Sequence, residues 1–221
     1  MTVEAVLFDL DGLMVDSEGH ALATWRVVLA RRGVELDPAT MDAMFGQRLD
    51  ETARMLADRL GLSDDPRALG AEKSALQIEG LDGHVTPMPG LFELIDELDL
   101  RGVKRAVASS GVRPYVEATL GAIGLAGDFK VVVTGDDVAR GKPAPDVFLR
   151  AAERLSVRSP ACLALEDAPN GIAAARSAGM RCVAVPNAFT RTLDLSAADS
   201  IFPSLHAVRD ALDTLLNGPA L

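Results

Sequence analysis

The chain has 221 residues; 48% are hydrophobic, 4% aromatic and 24% charged, and 22 Lys plus Arg against 32 Asp plus Glu leave a net charge of −10. This is globular composition on a length that suits one large domain, or one ordinary domain carrying a smaller one, and it excludes wholesale disorder. The acidic balance argues against nucleic acid or an anionic membrane as partner, since both require a positive field.

The first residues, Met1-Thr2-Val3-Glu4, carry no basic stretch, and the apolar run that follows stops at Asp9, so no signal peptide is expected. No run approaches the roughly 18–20 apolar residues of a membrane span. The expected setting is cytoplasmic, as a monomer or a dimer. Short apolar runs at 5–8, 103–108, 129–133, 161–165 and 182–185 are of strand length and none alternates strictly, although Lys104 and Arg105 interrupt the second. Runs apolar on both faces suit a parallel sheet covered by helices on both sides. Helical patterns lie between them: Val147, Ala151 and Leu155 step by four behind Pro145, Pro114 opens the helix before, and Ile172, Ala175 and Ala178 end at Gly179. The fold class expected is α/β, a doubly wound, mostly parallel sheet of Rossmann-like form. Cys162 and Cys182 sit inside apolar runs and read as inert core thiols.

One stretch breaks the alternation. Between Phe8 and Val103 no strand is evident, but Leu22, Trp25 and Leu29 form one helical stripe, Leu49, Ala53, Leu56 and Leu60 another, and a weaker pattern covers 71–78. The expected division is a core of residues 1–16 and 82–221 with an inserted all-helical domain at 17–81, joined through 13–16 and 82–89.

In an open parallel sheet, ligands bind beyond the carboxyl ends of the strands. The residues just past the runs are Asp9-Leu10-Asp11-Gly12, Ser109-Ser110-Gly111 and Glu166-Asp167, and Gly141-Lys142-Pro143 leads into a helix. Each has an ordinary structural reading: Asp-Gly as a turn, Glu166-Asp167 and Ser109 as helix caps, Lys142 as a solvated charge. Together on one rim they place Asp9, Asp11, Glu166 and Asp167 in a small space, where like charges need compensation. Lys142 supplies one positive charge, and a hard divalent cation with oxygen ligands, Mg²⁺ above all, would supply the rest. Phosphoryl transfer is the chemistry that uses such a set.

Phe8-Asp9-Leu10-Asp11-Gly12, Ser109, Lys142-Pro143 and Glu166-Asp167 resemble the four motifs of the haloacid dehalogenase superfamily. Val15-Asp16-Ser17-Glu18, Pro87-Met88-Pro89-Gly90 and Ala168-Pro169-Asn170-Gly171 extend the likeness over the whole chain. The subgroup resembled carries a helical cap after the first motif and includes sugar-phosphate phosphatases and β-phosphoglucomutase. The resemblance implies a phosphomonoester hydrolase in which Asp9 is the nucleophile and Asp11 the general acid and base. It implies that Ser109 and Lys142 hold the phosphoryl oxygens, with Ser110 and Gly111 beside them. Mg²⁺ would be bound by Asp9, Asp167, Glu166 in the first or second shell, and the Asp11 backbone carbonyl. His20, Gln47, Arg48 and Lys73 are the candidate substrate contacts of the cap. A phosphosugar mutase is the alternative, but the histidine and arginine of mutase-like relatives are displaced here: Ala21 and Leu49 occupy their places, with His20 and Arg48 one residue earlier, after Gly46. The segment 46–50 and Val185-Pro186 are similar to deoxysugar and pseudouridine phosphatases.

Other classes fit less well. A P-loop requires Ser or Thr where Pro143 follows Lys142. A calcium loop begun at Asp9 requires Glu where His20 stands. A non-catalytic binding protein on this fold is expected to lose Asp9 or Asp11, and both are present.

Overall fold

The computed structural model describes residues 2–44 and 47–218; Gly46 lies outside them. Strands β1 (Ala5–Phe8), β4 (Lys104–Ala108), β5 (Val132–Val133), β6 (Cys162–Glu166), β7 (Arg181–Ala184) and β8 (Ser200–Ile201) form one sheet in the order β5-β4-β1-β6-β7-β8. Every pairing in it is parallel. This is the expected doubly wound architecture.

Alternation along β1 divides the core. Val6 and Phe8 face a cluster of large side chains from α5 (Leu91–Leu100), α6 (Arg113–Ala122), α9 (Leu205–Asp210) and α10 (Leu212–Asn217). Ala5 and Leu7 face the other side with Ala106, Ala108, Ala164 and Ala184. These small side chains let α7 (Asp146–Leu155) and α8 (Pro169–Ser177), which present Ala151, Ala152, Ala174 and Ala175, pack close to the sheet. A chain poor in aromatics fills its core in this way. Cys162 and Cys182 are free and buried on the alanine-rich face. Burial pushes the Cys162 thiol up to about 11 and that of Cys182 higher, so both are inert.

The structure departs from expectation at the sheet edges. Of the run 129–133, Val132 and Val133 are in register with β4 and the Val131 carbonyl accepts from Val107, while Phe129 turns into the core, edge-on to Phe8 at 5.9 Å and under the Arg105 guanidinium. The strand β8 has no apolar run to announce it.

The segments 13–16 and 82–89, expected as separate connections, are tied together. Strands β2 (Val15–Asp16) and β3 (Thr86–Pro87) pair antiparallel, Val15 opposite Pro87 and Asp16 opposite Thr86. Between them lie α1 (Glu18–Ala30), α2 (Pro38–Asp42), α3 (Leu49–Leu60) and α4 (Pro66–Glu79). Asp37 and Asp65 cap α2 and α4 by accepting from the Thr40 and Arg67 amides, each with proline in the first turn. Trp25, Val28, Leu29, Ala53, Leu56 and Leu69 form a cluster separate from the two sheet faces. Arg32 ties the helices by bonds to Asp64 (2.6 Å) and Glu72 (2.8 Å). The helix α4 rests against α6. No helix among the described residues is long and apolar enough to cross a membrane.

Candidate active site

The carboxyl ends of β1, β4, β6 and β7 open onto one cavity of about 230 Å³, roofed by α1, α3 and α4. Asp9 follows β1 directly, and its amide continues the ladder to the Leu165 carbonyl (3.0 Å). Gly12 then turns the chain with φ +79°, a left-handed conformation that favours glycine. The Ser109 amide likewise continues the ladder to Val133 (3.0 Å), and Gly111 N–H bonds back to Ser109 Oγ (3.0 Å). Glu166 ends β6, and the Asp167 and Ala168 amides donate to its Oε2 at 3.1 and 3.4 Å.

Lys142 joins these ends. It arrives on the loop before α7 through a cis Lys142–Pro143 bond and donates to both Asp9 Oδ1 and Glu166 Oε1. Its ammonium also lies 4.9 Å from the centre of the Phe148 ring. Asp9, Glu166 and Asp167 are all buried, and one carboxylate oxygen from each lies within 4.8 Å of the others. This is the one such acidic cluster among the described residues.

One ammonium cannot neutralise three carboxylates. Burial, opposed by Lys142, raises the Asp9 carboxyl to about 8. Burial, then Glu166 and Asp9, holds Asp167 well above the usual carboxylate range. Burial works against the Lys142 ammonium, but Asp9 and Glu166 outweigh it and hold it charged above the ordinary lysine value. Three buried oxygen donors with a deficit of positive charge fit a hard divalent cation, which would replace protons as the compensating charge.

Asp11 stands apart from this cluster. Ser17 Oγ donates to its Oδ1 at 2.6 Å and the Tyr115 hydroxyl donates to the same oxygen at 2.5 Å. The two aspartates of one motif thus face different surroundings, which is how a pair of carboxylates comes to serve different roles.

The structure brings Asp9, Asp11, Lys142, Glu166, Asp167, Ser110 and Gly111 to the cavity from the sheet side, and Gln47, Arg48 and Lys73 from the helical side. Ser109 is buried next to these lining residues, its Oγ accepting from the Gly111 amide. The Arg48 side chain crosses onto Gly141, where any Cβ would collide with it, and its Nε lies 3.6 Å from Asp50. Lys73, expected as a substrate contact of the cap, is buried; it donates to Gln77 Oε1 and lies 5.8 Å from the Trp25 ring centre. Burial lowers its ammonium to about 8 against the pull of Asp11 and Glu18.

His20 is a correction. It does not line the cavity: its Nε2 bonds the Gln77 carbonyl at 2.8 Å and its ring stacks on His84. A single residue of register on α1 separates it from Ala21, which does line the cavity.

Ser17, Glu18, Tyr115 and Asn187 were not among the residues expected here. Ser17 and Glu18 belong to the segment Val15-Asp16-Ser17-Glu18, so the sequence carries a signal for them; Tyr115 and Asn187 are lone polar residues without a pattern. Burial, with Asp11 adding repulsion, raises Glu18 to about 7. A carboxyl raised in this way costs stability as pH climbs from about 4.5 to about 7 and the cost persists above, because the unfolded chain ionises first. Glu18→Gln is therefore expected to stabilise the metal-free protein at pH 8 by about 1–2 kcal/mol and not at pH 4. Urea denaturation at the two pH values checks this; an equal effect at both would contradict it.

A profile of the haloacid dehalogenase-like hydrolase family matches residues 6–185. Protein CbbY of Rhodobacter capsulatus is 36% identical over 94% of this chain and 96% of its own length. Fructose-1-phosphate phosphatase YqaB of Escherichia coli is 36% identical over 81% of this chain and 95% of its own. Among solved structures, CbbY from Rhodobacter sphaeroides in complex with phosphate superposes with a TM-score of 0.85 at 28% identity, over 93% of this chain and 96% of that one.

Proposed function

We propose that this chain, which belongs to the haloacid dehalogenase-like hydrolase family and whose relatives include named phosphatases, hydrolyses a small phosphomonoester, a sugar phosphate above others, through a phosphoaspartate on Asp9. The observation that carries this reading is the joint placement of two unlike aspartates on one cavity: Asp9 within the Lys142–Glu166–Asp167 cluster, and Asp11 held separately by Ser17 and Tyr115.

Asp9 attacks phosphorus, and Asp11 gives a proton to the departing oxygen, then takes one from the water that cleaves the acyl-phosphate. Two donors on Asp11 Oδ1 fix its orientation and leave Oδ2 as the oxygen to carry that proton. Lys142, with Ser109, Ser110 and Gly111, holds the phosphoryl oxygens. Asp9, Asp167, Glu166 and the Asp11 carbonyl would hold Mg²⁺. When bound, the cation supplies the positive charge that keeps Asp9 ionised and offsets charge on the phosphoryl oxygens. Both Glu166 oxygens already accept bonds within the protein, which favours an outer position for it.

Hydrolysis is favoured over mutase action because Ala21 and Leu49 stand where mutase-like relatives carry a histidine and an arginine, and the neighbouring His20 is turned away onto the Gln77 carbonyl. The test is phosphate release over a panel of sugar and polyol monophosphates. Mg²⁺ should be required, EDTA should abolish release, and Ca²⁺ should fail to restore it. β-Glucose 1-phosphate with trace bisphosphate should yield phosphate without isomerised product. Full release in EDTA, or isomerisation without release, would overturn the reading.

The helices over 17–81 act in this reading as a cap moving on the β2–β3 ribbon, closing to exclude water. Arg48 and Lys73 then contact the part of the substrate remote from phosphorus. Replacing either with Ala should raise KM for the preferred sugar phosphate about tenfold and leave p-nitrophenyl phosphate turnover nearly unchanged. Unchanged kinetics for both esters would remove these residues from the site.

A further inference from the structure

We infer that Asn187 is a positioning residue for the metal ligand Asp167, and that its amide sets the strength of Mg²⁺ binding. This rests on the metal site proposed above. Asn187 lies on the loop after β7, beyond the four motifs. Its Oδ1 accepts from the Phe189 amide (2.8 Å) and the Thr190 amide (3.1 Å), which closes a turn on the side chain itself. That choice of oxygen fixes the amide's orientation, so Nδ2 must face the other way. There it donates to Asp167 Oδ2 at 2.8 Å and to the Gly12 carbonyl at 3.1 Å. Every hydrogen-bonding position of the amide is used, and each partner is one that only this orientation satisfies.

One side chain thus ties together the loops that follow β1, β6 and β7. Gly12 belongs to the same arrangement: a Cβ there would lie 2.5 Å from both Asn187 Nδ2 and Asp167 Oδ2. The glycine of the first motif is required by its left-handed backbone and again by the approach of this pair. Asp167 is buried, with a carboxylate oxygen within 4.8 Å of those of Glu166 and Asp9. A neutral amide donor favours the ionised form and holds the carboxylate in one rotamer without adding a positive charge that would compete with a cation. Outer partners of metal ligands typically account for about 10–100-fold in metal affinity.

The experiment measures Mg²⁺ binding directly, by calorimetry and by the Mg²⁺-dependent rise in Tm, on the full chain and two variants. Asn187→Ala removes the amide. Asn187→Ser keeps a hydroxyl that can accept from the turn amides but is too short to reach Asp167. Both are expected to retain a metal-free Tm close to the parent, to shift the Mg²⁺ midpoint upward about 10–100-fold, and to recover most of kcat when Mg²⁺ is raised accordingly. Folded variants that titrate at the parent's midpoint would overturn the inference, and so would failure of both to fold, which would make Asn187 a structural clamp. A parent that binds no Mg²⁺ would overturn the proposed metal site with it, so the two failures are distinguishable.

Discussion

Asp9→Asn is expected to retain the fold and lose at least about 10⁴-fold in kcat, because an amide cannot form the acyl-phosphate. The substitution is nearly isosteric. It removes one of three crowded carboxylates while leaving Lys142 its bond to Glu166. Metal-free stability should therefore stay within about 1 kcal/mol of the parent. Phosphate release and urea denaturation, run side by side, separate the two effects. Near-normal release by a folded Asp9→Asn protein would exclude Asp9 as nucleophile.

Lys142→Met is expected to damage both chemistry and folding. It keeps an apolar side chain of similar length but strips the ammonium that lies over Phe148 and that Asp9 and Glu166 share. Breaking a buried ion pair from one side costs about 3–5 kcal/mol, since the charge left behind is out of solvent and has lost its counter-charge. Asp9 can escape that cost by binding a proton. The loss should therefore be greatest above pH 8, where the raised Asp9 carboxyl ionises, and should shrink as pH falls. Turnover should fall about 10²–10³-fold at saturating Mg²⁺, the range for removing one donor to a developing anion. A stability loss that was independent of pH would contradict the assigned role of the carboxylates; undiminished turnover would remove Lys142 from the phosphoryl site.

Much of this architecture was legible because local pattern and global fold agree. Strand β1 is four apolar residues that stop at Asp9, and the sheet needs four apolar residues buried on both faces at its centre. The core site residues were legible for the same reason: each of Asp9, Ser109 and Glu166-Asp167 follows an apolar run, and a parallel sheet carries all such positions to one edge. What escaped was set by tertiary packing. Phe129 belongs to an apolar run but serves the core rather than the sheet. The β2–β3 ribbon has no pattern of its own and exists because the two ends of the helical insert must leave side by side. Lys73 is legible as a cap contact but its burial is not, since α4 sets it into the cavity wall against Gln77 and Trp25. His20 and Ala21 are adjacent, and only the rotation of α1 decides which faces the cavity. Tyr115 and Asn187 act over long sequence separations on Asp11 and Asp167, and single polar residues carry no periodic signal of such a role.

The central claim is that the phosphoryl group passes through Asp9. It is tested most directly by mixing the protein with Mg²⁺ and a substrate from the panel, quenching in acid within one turnover, and mapping the protein by mass spectrometry. The account predicts one added phosphoryl group on the peptide containing Asp9, lost on treatment with hydroxylamine and absent from Asp9→Asn. Rapid phosphate release with no phosphorylated peptide at any quench time, or a phosphoryl group on a different residue, would contradict it.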